Sequence, residues 1–136
     1  MIQDANTDMR HARLSIVVFG AYVLGLGVAL VVAPNFVLAI FGIPETGEVW
    51  IRILGAVLAV NGYYLIEAGR LGSRWFMRAS VFGRAGVAAF LFALVLAGIA
   101  PPVMILFATV DLAGAIWTAV TLRSSRGARL QVGEGQ

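Results

Sequence analysis

A single carboxylate, Asp111, stands near the middle of VMILFATVDLAGAIWTAVTL, residues 103–122, a stretch otherwise free of charge. A run of about 20 such residues is what a helix needs to cross roughly 30 Å of hydrocarbon. An ionised carboxylate at that depth costs at least about 2.5 kcal/mol, so it must face protein and find a cation, or stay protonated. The chemistry open to it is that of a proton or cation carrier, or of a counter-charge to a buried arginine. The arginines inside other apolar stretches are Arg52, Arg78 and Arg84; Glu67 is a second acid of this kind, and Asn61 and Tyr64 stand one turn apart on the stretch that ends in Glu67. Together these residues form the candidate intramembrane ion-pair or ligand site.

Composition sets where such residues must be positioned. The chain is 60% hydrophobic and 12% charged, with a mean hydropathy of +0.91, whereas a soluble domain carries about 25% charged residues. Cysteine is absent and His11 is the one histidine, which removes disulfides, thiolate nucleophiles and imidazole or thiolate metal clusters. No metal and no cofactor are expected. The net charge of +3 comes from arginines at the ends of the apolar stretches, a pattern of anchoring and topology that gives no ground for nucleic acid as a partner.

Four stretches are long enough to span, at about 14–33, 49–68, 75–99 and 103–122, which makes one transmembrane domain over 14–122. Residues 1–13 are polar and read as a cytoplasmic tail; 123–136, rich in Gly, Ser and Arg, read as a disordered basic tail. The first stretch is too long for the apolar core of a signal peptide, and Pro34 follows its only small-residue site, so it is expected to stay uncleaved. After it, FVLAIFGI is too short to cross and apolar enough to lie at the interface. The turn at 69–74 is basic, and Pro101 and Pro102 leave only a tight hairpin before the last span. The fold expected is all-α, an integral membrane up-down four-helix bundle with short loops. Arginines gather on the side of both termini and the 69–74 turn, so both termini are expected in the cytoplasm of a bacterial inner membrane. VVFGAYVLG in the first span and SVFGRAGVA in the third share an FG step, a match that apolar alphabets produce cheaply.

Helices in lipid pack through small residues. The second span offers Gly55, Ala59 and Gly62; the third Ala79, Gly83 and Gly86; the fourth Ala108, Ala115 and Thr118 on the face of Asp111; the first Ala21 and Gly25. Counting rise per residue from the proline hairpin sets Arg52 nearly level with Asp111, and Arg84 about 10 Å nearer the cytoplasm. Level favours Arg52 and adjacency favours Arg84, and the two stay open as partners. The same count sets Arg78 beside Glu67, with Asn61 and Tyr64 between the two clusters. The bland reading of all these groups is that they fix helix register, and that Arg78 and Arg84 snorkel to headgroups. Trp50, Trp75 and Tyr22 read as belt or packing residues.

No Ser/His/Asp set, HExxH or P-loop is present, so no catalytic residue is assigned. APNFVLAIFGIP, GEVWIRILG, GYYLIEAGR and DLAGAIWT give the chain a pattern that resembles the small four-span bacterial membrane proteins grouped as DoxX-like, over most of residues 14–123. The resemblance implies architecture; some of those families have links to redox or quinone partners, but this chain lacks the thiols and histidines for a redox role. The first functional expectation is an assembly, accessory or structural membrane component whose partners are lipids, itself or a larger complex. The alternatives are a proton- or ion-coupled transporter or channel using Asp111 or Glu67, and a lipid- or quinone-binding protein using the space around Asn61, Tyr64 and Arg84. A side-chain-filled bundle with paired charges supports the first, a hydrated cavity open to one face the second, and a lateral opening beside Arg84 the third.

Overall fold

In the computed structural model the chain forms α1 (Ile2–Val32), α2 (Pro34–Ile40), α3 (Trp50–Leu71), α4 (Arg74–Leu96) and α5 (Met104–Gly133). The structure describes the backbone of residues 2–133 and the side chains of residue 7 and residues 9–123. Four helices are long and apolar enough to cross a membrane, over Met9–Val32, Trp50–Leu71, Arg74–Leu96 and Met104–Arg123. No strand occurs among the described residues.

Several boundaries differ from the sequence reading. Residues 2–13, expected as a tail, are the first turns of α1. Helix α5 runs through the stretch expected as disordered, to Gly133; residues 134–136 lie outside the described residues. In both places a helix already nucleated by its apolar part propagates at little cost into the polar residues beside it. Helix α4 ends at Leu96 instead of continuing to Ile99, because Gly98 takes a positive φ of 72° and the Ile99 and Ala100 amides turn back to the Leu94 carbonyl. Between α3 and α4, Gly72 at φ 68° makes a left-handed cap, and the Ser73 side chain accepts from the Phe76 amide to open the next helix.

The bundle is built on the seam between α1 and α3. A Cβ on Gly62 would lie 2.7 Å from the Gly20 carbonyl oxygen and from the Leu24 Cα, and one on Gly27 would lie 2.6 Å from the Gly55 oxygen. Gly20 and Gly27 on one helix and Gly55, Gly62 and Gly69 on the other repeat every two turns, so the backbones touch along the seam. Gly55 and Gly62 were expected there. Gly25 and Ala21 were the expected face of the first helix, but a Cβ on Gly25 meets nothing within 4 Å and Ala21 is exposed; the true face is turned to Gly20 and Gly27.

Helix α5 packs on the other side of α1, with Ala108, Ala115 and Thr118 buried, and α4 packs on α5. Helices α3 and α4, although joined by only two residues, touch only sparsely. Four helices therefore close on three sides and part on the fourth. Ala79 and Gly83, read from sequence as a packing face, line that gap: they are too small to reach α3, and a Cβ on Gly83 meets nothing within 4 Å. The two FG steps also differ in role. Phe19 is buried and Gly20 sits in the seam, whereas Phe82 is exposed and Gly83 borders the gap. Helix α2 folds back over the loop end of the bundle, burying Val37 and Leu38 while Phe36 and Ile40 stay exposed; just beyond it, the Phe41 ring stands 4.7 Å from that of Phe107.

Candidate functional site

Arg84 is the one arginine buried among the described residues, at 6% exposure. Helix α4 delivers it to the junction with α1 and α5, where its guanidinium lies over the Phe19 ring, 3.7 Å from the centroid. A cation on an aromatic face is worth about 0.5–2 kcal/mol, and more when water is excluded. Arg84 Nη1 donates to Thr118 Oγ1 at 3.4 Å, a long bond. Thr118 Oγ1 donates to the Gly114 carbonyl, and Ser15 Oγ stands 3.0 Å from Thr118 Oγ1, so α1, α4 and α5 meet in one polar chain. Arg84 Nε and Nη2 are buried with no acceptor. Leaving such a donor unmet costs about 1–3 kcal/mol, and more for a charged group.

Gly114 makes this seat. A Cβ there would collide with Nη2 and lie 3.0 Å from Cζ and 3.3 Å from Phe19 Cδ2. Gly114→Ala is therefore expected to expel the guanidinium from Phe19 while leaving the helices in place, since the group that yields is the end of a flexible side chain. The Arg84 Nε–H resonance should lose its ring-current shift, with thermal stability in detergent changed by no more than about 2 kcal/mol. An unshifted resonance would mean that Arg84 does not occupy this seat.

Asp111 lies one turn before Gly114 on α5, half-buried, and it and Arg84 attract one another electrostatically. The two do not form an ion pair within 4.0 Å. Arg84 and Asp111 line one cavity without pairing, and Arg52 does not join them. Arg52, in the first turns of α3, is exposed and donates to the Val31 carbonyl at the end of α1. Its depth matched, but its side chain leaves towards the loop end.

Other candidates are brought in or left out. Asn61 and Ser80 line the same cavity as Arg84 and Asp111, between α3 and α4. Tyr64 is turned outward, 55% exposed, its ring 6.0 Å from that of Tyr63. Glu67 pairs with Arg70 at 3.1 Å, three residues on, instead of with Arg78. Arg78 belongs to another groove, between α4 and α5. Phe19, Gly114 and the Ser15–Thr118 pair were missed in the sequence, and the only available signal was the spacing of Asp111, Gly114 and Thr118 on one helix face.

The cavity at Arg84 has a volume of about 390 Å³. A second cavity, of about 230 Å³, continues toward α2 and is apolar, walled by residues such as Leu26, Leu38, Phe41, Leu54 and Phe107. Val23, Leu58, Val87 and Asp111 border both spaces. The result is a polar pocket with an apolar extension beside a seam where two helices part. That arrangement can hold an acceptor group at one end and a hydrocarbon segment at the other; it contains no nucleophile and base in bonding reach. No family model, curated protein or solved structure matches the chain.

Proposed function

We propose that the chain is a multi-pass membrane protein of DoxX-like architecture, with both termini cytoplasmic, that binds a lipid-phase amphiphile through the gap between α3 and α4. The observation that carries this reading is a cavity beside the seam that does not close, lined at one end by Arg84, Asp111, Asn61 and Ser80 and continued by an apolar space. An amphiphile entering sideways would set an anionic or carbonyl oxygen in the polar end of the cavity, within the field of the Arg84 charge, and lay its tail in the apolar extension. Few polar groups with an apolar lining are the usual makeup of a small-molecule site. A purely structural bundle would gain by meeting the Arg84 donors from its own side chains, as buried polar groups generally are, so the assembly role is supported less well.

Gly83 allows a test that spares the packing. Because a side chain there enters open space along the gap, Gly83→Phe is expected to fill the entrance without disturbing the α1–α3 seam or the Arg84 seat. Native mass spectrometry of the full chain, released from membranes with lipids retained, should find one tightly held amphiphile more on the unaltered protein than on the variant, at equal helical content. Identical adducts on the two proteins would remove the lateral site.

A further inference from the structure

A separate groove of about 650 Å³ runs between α4 and α5 at the end of the bundle that carries the α3–α4 turn. Arg74, Arg78 and Arg123 line it together with Val81, Phe82 and Leu122. Arg74, Arg78 and Phe82 follow one another at four-residue steps and so share one face of α4, two cations at the helix end and an aromatic ring one turn deeper. On α5 the order is the same, with Arg123 outermost and Ala119, also in the wall, one turn further in. Among the described residues no acidic one lines the groove, and no carboxylate pairs with Arg78 or Arg123.

We propose that this groove is a binding site for an anionic phospholipid, its phosphate held between Arg78 and Arg123 and an acyl chain lying along Phe82 and Val81. Guanidinium groups match phosphate oxygens two at a time and are the side chains best suited to such a headgroup. A free phosphate would need the arginines alone; the apolar wall that continues inward from them in the direction of an acyl chain selects the lipid. The site rests on the membrane reading above but shares no residue with the Arg84 cavity.

The test uses the detergent-solubilised full chain incubated with phosphatidylglycerol, with phosphatidylcholine or with inorganic phosphate, and read by native mass spectrometry. Phosphatidylglycerol adducts should exceed phosphatidylcholine adducts, and the double variant Arg78→Gln/Arg123→Gln should weaken the former about tenfold or more, since each surface arginine adds about 1 kcal/mol of attraction to anionic lipid. Arg84→Met should leave these adducts unchanged, which separates a failure here from a failure of the lateral site. Equal adducts with the two lipids, or an unchanged double variant, would overturn the proposal. Competition by inorganic phosphate at matching affinity would overturn it in favour of a soluble anion, and dependence on Arg84 would assign the lipid to the lateral cavity. Should the double variant lose its helical content, the lipid preference of the unaltered chain and of Arg78→Gln decides.

Discussion

Gly62→Val is expected to cost the bundle about 3 kcal/mol or more, the upper end of what forced overpacking does to a core. The cost is high because the added atoms meet backbone. A Cβ at Gly62 would lie 2.7 Å from the Gly20 oxygen and 2.7 Å from the Leu24 Cα, and neither can rotate away. Relief requires α1 and α3 to separate along their whole length, which also lifts the glycine contacts one heptad on either side, at Gly55 and Gly69. In lipid no hydrophobic drive holds helices together, so close backbone approach is the main source of their association. Gly25→Val provides the control, since that position faces open space on the same helix pair. Reversible unfolding in mixed micelles should separate the variants clearly. Equal stability would mean that the glycine seam does not hold the bundle.

Arg84→Met is expected to give the opposite pattern, with bound amphiphile lost and ligand-free stability kept or raised. The side chain that leaves is a buried cation with two N–H groups unmet and one long bond to Thr118. Replacing a poorly satisfied buried charge with an apolar residue of similar reach is often neutral or favourable. Against this stands the contact with the Phe19 ring, worth about 0.5–2 kcal/mol, which the methionine partly replaces through sulfur–aromatic contact. Binding should fall much further, because each hydrogen bond to a charged group is worth about 1.5–3 kcal/mol, tenfold or more in affinity. Combining Arg84→Met with Asp111→Asn removes the counter-charge as well and keeps the comparison free of an isolated carboxylate. Thermal unfolding in detergent, alongside amphiphile retention, reads the two effects separately. A loss of several kcal/mol with no change in retention would make Arg84 a structural residue and end the proposed function.

The four long apolar helices, the short connections and the interior placement of the Asp111 face all follow from the order of residues along the chain. They depend on local quantities, namely the length of each apolar run, the glycines and prolines between runs, and the cost of leaving a carboxylate in hydrocarbon. Helix orientation about its own axis was not legible in the same way. Gly25 and Gly27 look alike in sequence, yet only Gly27 meets Ala59 and Gly55 across the seam. Side-chain direction was equally hidden, for Arg52, level with Asp111 by counting, turns instead to the Val31 carbonyl. The open side between α3 and α4 was hidden because Ala79 and Gly83 serve equally well to let a neighbouring backbone in or to leave a hollow. Which of these occurs is settled by how strongly α1 holds α3 and α5 holds α4: once the glycine seam fixes one pair and the packing of α4 along α5 fixes the other, the remaining two helices are left apart. Residue type sets what each face can do, and only the simultaneous packing of all the helices selects which face meets which.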